Sequence, residues 1–294
     1  DRNQATLFLA RDRLGVKPLY YATLADGRLL FGSELKSLLA HGALARDIDP
    51  LAVEEYFALG YVADPRTIFR GVHKLPPAHT LAIRRGQPAP PPREYWDVRF
   101  TVDNPISVED ACAELEHRLA ESVRLRMISE VPLGAFLSGG VDSSAVVATM
   151  AGLSATPVET CSIGFRERAF DESHFAREVA ERYHTHHRTE IVESDDFDLV
   201  DRLAGIYDEP YADSSAIPTW RVCKLARENV TVALSGDGGD ESFGGYRRYR
   251  LHVMEERVRG ALPLALRRRT FGLLGNAYPK LDWAPRVFRA KTTL

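Results

Sequence analysis

The chain has 294 residues, enough for about two domains. It is 45% hydrophobic and 27% charged, as globular proteins usually are, and its net charge of −3 gives no overall attraction to nucleic acid or membranes. Apolar stretches stay well below the ~20 residues of a membrane-spanning helix. The three cysteines, Cys112, Cys161 and Cys223, are far apart and odd in number. We therefore expect buried thiols in a reducing, cytoplasmic compartment, without a disulfide framework or zinc site.

The first 95 residues are predicted to be mostly β-structure. Apolar segments between turn residues predict strands at residues 6–11, 18–24 and 28–32, with a tight turn at Asp26-Gly27. A short helix is expected at residues 34–40. The Asp49-Pro50 pair suits a helix N-terminus, so a second helix is expected to run to about residue 59.

Prolines become frequent after this helix, at positions 65, 76, 77, 88 and 90–92. Because proline fixes φ and lacks an N–H group, we interpret this stretch as a linker with extended segments. The chain is accordingly divided into a first domain at residues 1–95, a linker at 96–106 and a second domain at 107–294.

The second domain alternates predicted helices with predicted strands. Ser107 and Asp110 resemble a capping box at the start of a helix that ends near residue 126. Strands are predicted near residues 131–137, 158–164, 186–192 and 230–234. Helices are predicted near residues 143–152, 172–183, 196–206, 216–228 and from about 241. This alternation predicts an α/β fold, a parallel sheet covered by helices on both faces, with ligands bound at the carboxyl ends of the strands.

Residues 138–144 read Ser-Gly-Gly-Val-Asp-Ser-Ser and lie between a predicted strand and a predicted helix. Glycines let backbone N–H groups approach a phosphate closely, and a helix N-terminus favours negative charge. Asp142 adds a carboxylate, which is expected beside phosphate if a divalent metal lies between them. The loop lacks the Lys of a Walker A motif and resembles the pyrophosphate loop of ATP pyrophosphatases.

A second glycine-rich loop, residues 235–241, follows another predicted strand and contains Asp237, Asp240 and Glu241. Clustered carboxylates repel one another unless a cation neutralises them, and Mg²⁺ bound to phosphate would do so. A solvated acidic turn is the alternative for this loop taken alone.

Other segments leave two interpretations open. Residues 162–165 could hold an adenine ring. The acids at 170–173 and 208–215 could bind ligand or simply cap helices and turns. His184 and His186 could share a strand face as metal ligands, but no third ligand is evident, so we favour a satisfied or exposed strand start. The basic runs 247–250 and 267–269 are expected to be solvated helix faces.

Together these segments resemble the glutamine-dependent asparagine synthetase family. Segments similar to the later part of its glutaminase domain occur at residues 10–21, 31–36, 75–79 and 95–97. Segments similar to its synthetase domain occur at residues 138–144, 162–165, 170–173, 208–210 and 234–246. Each motif is moderately specific, and their common order and spacing are highly specific.

The resemblance implies the later part of an N-terminal-nucleophile glutaminase domain, an αββα sandwich, followed by an ATP pyrophosphatase domain of the adenine nucleotide alpha hydrolase-like type. It implies that ATP and Mg²⁺ activate the side-chain carboxylate of aspartate as aspartyl-AMP. Ammonia from glutamine then crosses an internal channel and attacks it. Aspartate, ATP, and glutamine or ammonia are the implied partners. Nucleic acid and membrane partners are not expected, and a homodimer stays open.

The resemblance also implies residue roles. Pyrophosphate would be held by Ser138, Gly139, Gly140, Ser143 and Ser144. Mg²⁺ would be held by Asp142 and Asp240. The nucleotide would contact Leu137, Ile163, Ser235 and Gly236. Asp237 stands where many members carry Glu, an acid proposed to handle the ammonia proton, so Asp142 and Asp237 are the expected catalytic residues.

Parts of the family pattern are not found in these 294 residues. The family's glutaminase nucleophile is a Cys at the mature N-terminus, followed by glutamine-binding loops. The later Arg-Val-Pro-Phe-Leu-Asp segment, and a basic residue beyond it that contacts the phosphates, are also missing. We therefore expect a fragment of a longer protein, with little glutaminase activity of its own.

Three other functions are compatible with the motifs. A related amidotransferase or β-lactam synthetase-like enzyme would adenylate a different carboxylate through the same ATP loops. A tRNA-modifying pyrophosphatase is less expected, because such enzymes usually have a basic surface or paired cysteines. A non-catalytic ATP-binding module would keep ATP affinity without releasing pyrophosphate.

Overall fold

The computed structural model describes residues 1–101, 105–167, 171–192 and 198–261, and residues 263, 264, 266, 267 and 269. The N-terminal part contains strands β1 (Thr6–Ala10), β2 (Tyr20–Thr23), β3 (Leu29–Gly32), β4 (Val72–Lys74), β5 (His79–Arg84) and β6 (Arg93–Glu94), and helices α1 (Leu35–Leu39) and α2 (Pro50–Leu59).

The C-terminal part contains four strands and seven helices within the described residues. The strands are β7 (Leu133–Phe136), β8 (Glu159–Phe165), β9 (His186–Val192) and β10 (Val232–Leu234). The helices are α3 (Val108–Arg126), α4 (Val141–Leu153), α5 (Ser173–Arg182), α6 (Asp198–Ile206), α7 (Ala216–Arg227), α8 (Gly239–Phe243) and α9 (Arg247–Ala261).

Two antiparallel sheets form the N-terminal part, in the orders β1-β5-β6 and β3-β2-β4. The predicted hairpin is confirmed, because β2 pairs with β3 around the turn at Asp26-Gly27. Helices α1 and α2 bury Leu35, Leu38 and Ala52 against Ala22 and Val72 of the second sheet. Asp49 caps α2 by accepting a 3.1 Å hydrogen bond from the Leu51 N–H group, as its residue type predicts.

The prediction for the proline-rich stretch was wrong in part. Strands β4 and β5 lie within it, and β5 pairs along its length with β1. Leu81 of β5 is fully buried in a core with Leu9 and Leu75. The prolines fall outside these strands, so they interrupt none of the β-ladder hydrogen bonds.

One parallel sheet, in the order β10-β7-β8-β9, organises the C-terminal part and confirms the predicted α/β architecture. Helices α3, α4 and α5 cover one face, where Val123, Val147 and Ala176 share a core with Ala135. Helix α7 covers the other face and packs on β8. The loops after β7 and β10 therefore leave the same edge of the sheet from neighbouring strands.

The helix boundaries follow local chemistry. The predicted capping box begins α3, since the Ser107 hydroxyl accepts a 3.0 Å hydrogen bond from the Asp110 N–H group and donates to the Asp110 carboxylate. The single helix predicted from residue 241 is instead two helices, because Gly244 ends α8 in the left-handed region. Residues 170 and 196–197 of predicted elements lie outside the described residues.

The cysteines depart from the expected pattern. Cys161 is buried beneath α7, but Cys112 and Cys223 are exposed, so the prediction of three buried thiols was wrong. Each of the exposed thiols is on a solvent-facing part of its helix. Among the helices that the structure describes, none is both long enough and apolar enough to cross a membrane.

Candidate nucleotide site at the carboxyl edge of the parallel sheet

The two glycine-rich loops pack directly against each other. A Cβ atom at Gly236 would lie 2.6 Å from the Ser143 amide nitrogen and 3.0 Å from the Asp142 Cβ atom. At Gly239 a Cβ atom would overlap the Asp142 carboxyl group. Only glycine permits this approach at both positions, so the second loop brings its backbone against the start of α4. The sequence predicted these loops separately, and the sheet order joins them.

The first loop is braced by its own hydroxyl groups. The buried Ser143 hydroxyl accepts a 3.2 Å hydrogen bond from the Ser138 N–H group and donates to the Gly140 carbonyl. The Ser138 and Ser143 hydroxyl oxygens lie 2.9 Å apart. Gly139 has φ of +81°, and a Cβ atom there would lie 2.5 Å from the Phe175 Cβ atom. The loop is therefore held in one conformation before any ligand arrives.

The N-terminus of α4 is open to an anion. Gly140 is the N-cap residue, and no side chain caps the first turn of the helix. The uncapped N–H groups and the helix dipole favour a negatively charged ligand. The Ser144 hydroxyl oxygen is buried and has no hydrogen-bond partner among the described residues. Since buried hydroxyl groups normally have a partner, this one indicates a polar ligand at the loop.

The second loop supplies carboxylates. The Ser235 hydroxyl donates a 3.0 Å hydrogen bond to the Asp237 carboxylate, which fixes the direction of that side chain. Asp240 and Glu241 lie in the first turn of α8. Glu241 accepts a 2.7 Å hydrogen bond from the Tyr246 hydroxyl, and this bond lowers the pKa of Glu241. Glu241 is therefore engaged by Tyr246 and Asp237 by Ser235, whereas the Asp240 carboxylate lies against Gly245, where a Cβ atom would overlap it.

The carboxylates of Asp142 and Asp240 fit the ligand set of Mg²⁺. Neither accepts a hydrogen bond from any residue that the structure describes. No group of three or more His, Cys, Asp or Glu side chains forms a metal site among the described residues. Mg²⁺ typically uses one or two carboxylates and completes its shell with phosphate and water oxygens, so two are enough.

The remaining predicted contacts lie at the same edge, with different exposure. Leu137 is 1% exposed and packs in the α3–α4–α5 core, so only its backbone can reach a nucleotide. Ile163 is half-buried in β8, and Gly164 beside it approaches Asp171 closely. Ser138, Gly140, Ser235 and Gly236 lie on the two loops.

The acids Asp171 and Glu172 lie immediately before α5. Asp171 accepts hydrogen bonds from the Ser173 hydroxyl and N–H groups, both at 3.1 Å, and these bonds lower its pKa. A third, longer bond from the Phe165 N–H group ties Asp171 to the end of β8. The capping interpretation therefore accounts for Asp171, and Phe170 lies outside the described residues.

The histidines form an exposed strand start, which is the interpretation that the sequence favoured. His184 precedes β9 with φ of +53°, so it does not share a strand face with His186. His186 Nδ1 lies 2.9 Å from the Glu159 carboxylate. The sequence reading overlooked His187, whose ring contacts the hydroxyls of Thr160, Ser162 and Thr189, and burial lowers its pKa.

A cavity of about 550 Å³ lies between the two parts of the chain, and sequence reasoning missed it. The N-terminal part contributes the charged residues Arg11, Asp64 and Lys74, and the segment after α6 contributes Asp208 and Glu209. Tyr20, which also lines it, has a pKa raised to about 12 by burial and by the neighbouring acids. In the sequence, the adjacent acids Asp208 and Glu209 were the one available signal of this cavity, since two neighbouring carboxylates usually have cationic or hydrogen-bonding partners.

Comparison with known proteins identifies the family. The sequence model for asparagine synthase matches residues 114–294, more than half of the chain. The chain belongs to the asparagine synthase family. A model for a glutamine amidotransferase domain matches residues 1–96.

Several curated proteins are similar to the chain. A putative glutamine-hydrolysing asparagine synthetase 2 of Methanocaldococcus jannaschii is 41% identical over 84% of this chain and 48% of its own length. A putative glutamine-hydrolysing asparagine synthetase of Mycobacterium bovis is 38% identical over 89% of this chain and 41% of its own. Glutamine-hydrolysing asparagine synthetase 1 of Bacillus subtilis is 35% identical over 85% of this chain and 39% of its own length. The chain thus spans about half or less of the length of these relatives.

Proposed function

We propose that the protein containing this chain amidates aspartate to asparagine at the expense of ATP, through a β-aspartyl-AMP intermediate. The observation that carries the proposal is the contact between the two loops, which brings the Asp142 carboxylate against Gly239, next to Asp240. This contact supports a site in which the start of α4 binds pyrophosphate and the carboxylates of Asp142 and Asp240 hold its metal. The names of the relatives and the family match support the same chemistry.

The proposed reaction joins the aspartate carboxylate to the α-phosphorus of ATP and releases pyrophosphate. The first loop and the start of α4 hold the departing phosphates with N–H and hydroxyl groups, among them the orphan Ser144 hydroxyl. Asp142 and Asp240 would hold Mg²⁺, which neutralises the charge that develops on the pyrophosphate. Because the loop is already braced, little reorganisation accompanies the reaction.

Ammonia then replaces AMP on the activated carboxyl carbon. Asp237, held by Ser235, is the proposed acceptor of the proton that ammonia loses. Glutamine hydrolysis in the amidotransferase domain would supply the ammonia, and the cavity between the two parts of the chain is the proposed route. We also propose the αββα sandwich and ATP pyrophosphatase folds, with domain boundaries near residues 95 and 107.

Oxygen-isotope transfer tests this proposal. The whole protein is incubated with ATP, Mg²⁺, ammonia and aspartate that carries ¹⁸O in its side-chain carboxylate. Adenylation predicts one ¹⁸O atom in the phosphate of AMP and one in asparagine, because the attacking oxygen leaves with AMP. Label in inorganic phosphate, together with ADP, would instead show transfer of the γ-phosphoryl group and would contradict the proposal.

A further inference from the structure

The segment after α6 joins the two parts of the chain through charged groups. The Lys36 ammonium lies 3.1 Å from the Asp208 carboxylate and donates a 2.9 Å hydrogen bond to the Ile206 carbonyl. The Lys36 N–H group donates to the same carboxylate at 3.3 Å. Asp208 therefore contacts both the backbone and the side chain at the start of α1.

Glu209 makes the more buried connection. Its carboxylate lies 2.7 Å from the Lys74 ammonium and accepts a 2.7 Å hydrogen bond from the Ile68 N–H group. The side chains of Lys74 and Glu209 are each 12% exposed. The stability of a buried charge pair with added hydrogen bonds depends steeply on geometry, because removal of one partner leaves the other charge buried and uncompensated. This pair consequently fixes the relative placement of the surfaces it joins.

The same ion pairs form a wall of the interdomain cavity. Lys74 also donates a 2.7 Å hydrogen bond to the Val62 carbonyl and lies 3.9 Å from Asp64, which pairs with Arg11 at 2.6 Å. Beyond Glu209, the Ala212 N–H group donates to the Gly60 carbonyl at 2.8 Å. Loosening one pair would therefore open the wall as well as the interface.

The segment also leads directly to the proposed synthetase site. It connects α6 to α7, and α7 returns the chain from the carboxyl end of β9 to the amino end of the parallel strand β10. Helix α7 therefore begins at the carboxyl edge of the sheet, where the two glycine-rich loops lie. The pKa of Cys223 on this helix is raised by partial burial of the thiol and by the negative charge of Asp237. One end of the segment is thus fixed to the N-terminal part, and the other begins the helix on which Cys223 senses the charge of Asp237.

We propose that Glu209 and Lys74, assisted by Asp208 and Lys36, are positioning residues that couple the two parts of the molecule. The inference rests on the proposed function and deepens it. The ion pairs hold the cavity wall closed between the glutaminase side and Asp237. Weakening them lets ammonia escape to solvent, so the number of asparagine molecules made per glutamine hydrolysed falls.

The test compares variants of the whole protein with glutamine and with ammonia as nitrogen donor. Glu209→Gln removes the charge and keeps the shape, and Glu209→Asp keeps the charge on a shorter side chain. We expect Glu209→Gln to lower the asparagine-to-glutamate ratio about fivefold or more, with a much smaller change in kcat for ammonia. Glu209→Asp should restore part of the ratio. Glu114→Gln, which breaks an exposed pair with Arg118 on α3, is the matched control and should change neither.

The outcomes separate this inference from the proposed function. An unchanged ratio in Glu209→Gln, with normal aspartate-dependent synthesis in the parent, would overturn the coupling role alone. Equal losses with glutamine and with ammonia would show a general structural role and would also overturn it. Absence of aspartate adenylation in the unaltered protein would instead remove the proposed function. Calorimetry provides a test that does not depend on enzyme activity. If the ion pair couples the two parts of the molecule, Glu209→Gln should split one unfolding transition into two.

Discussion

The two glycine-rich loops leave neighbouring strands of one sheet and contact each other, yet their chemistry is opposite. The loop after β7 offers uncapped N–H groups and an orphan hydroxyl, and it is braced internally by Ser143. The loop after β10 offers carboxylates, one of which is directed by Ser235. The first is suited to an anion and the second to a cation, so neither loop alone would bind a metal–pyrophosphate pair well.

The difference indicates how a single edge of the sheet can bind an anion and a cation side by side. Asp142 is the exception that links the loops, because it is a carboxylate on the anion-binding loop and it lies against Gly239 of the acidic one. A divalent cation between the loops would satisfy both. Substitutions in each loop should therefore affect different steps, and the following experiments compare them.

Gly139→Ala should have the largest effect. An alanine there would need φ of +81° and would bring its Cβ atom 2.5 Å from that of Phe175. We expect a loss of about 1–3 kcal/mol in the free energy of unfolding and no detectable ATP binding, measured by denaturant titration and calorimetry. Gly152→Ala is the matched control, since Gly152 lies in open space on α4, the helix that follows the first loop, and the change should stabilise the protein by about 0.5–1 kcal/mol. Normal ATP binding by Gly139→Ala would refute the role of the first loop.

Asp142→Asn should slow pyrophosphate release about 10²–10³-fold while leaving the fold intact. The amide keeps the shape of the side chain but loses the charge that would hold Mg²⁺. The rate is measured as AMP formation over a range of Mg²⁺ concentrations, with Asp201→Asn on the exposed side of α6 as control. A variant with unchanged Mg²⁺ dependence would remove Asp142 from the metal site.

Asp237→Asn should separate the two half-reactions. Adenylation depends on the residues proposed to bind pyrophosphate and metal, and Asp237 is not among them. The aspartate-dependent exchange of pyrophosphate into ATP should therefore change less than about threefold. Amide formation should fall about 10²–10⁴-fold, as expected when a proton acceptor is lost. Asp237→Glu restores a carboxylate and should recover much of the rate. Parallel loss of exchange and amide formation would mean that Asp237 acts in the first step.

The smallest effect concerns how the alkylation of the Cys223 thiol depends on pH. Although Cys223 is largely exposed, partial desolvation of its thiol and the Asp237 charge raise the pKa of this thiol above its ordinary value, because both disfavour the thiolate. In the Cys112→Ser protein, the rate of iodoacetamide labelling should therefore increase with pH, and its midpoint should lie above that of an ordinary cysteine thiol. Asp237→Asn removes the repulsion, lowers the midpoint and speeds labelling at pH 8 about threefold. Cys161 should stay unreactive, since burial raises its pKa to about 11.

The sequence allowed the C-terminal fold to be predicted well, because its signals are local. The Ser107–Asp110 capping box and the glycines of the first loop each determine structure within a few residues. The parallel sheet followed from the alternation of elements. The likeness of both loops to one family then placed the candidate site at the sheet edge.

What could not be predicted depends on partners distant in the chain. Strand β5 is flanked by prolines, and its pairing with β1 and β6 makes it a strand. The contact of Glu209 with Lys74 joins residues 135 positions apart, by their residue numbers, and no local pattern signals it. Likewise, the exposure of Cys112 and Cys223 depends on which helix faces the core, and hydrophobic residues, not cysteines, determine that choice.

The most direct measurement is exchange of labelled pyrophosphate into ATP by the whole protein with Mg²⁺ and a panel of carboxylic acids led by aspartate. Adenylation at the two loops predicts exchange that requires aspartate and is lost in Asp142→Asn. Exchange with another acid but not with aspartate would contradict the proposed substrate and favour a related amidotransferase. ATP binding without exchange across the panel would contradict adenylation itself.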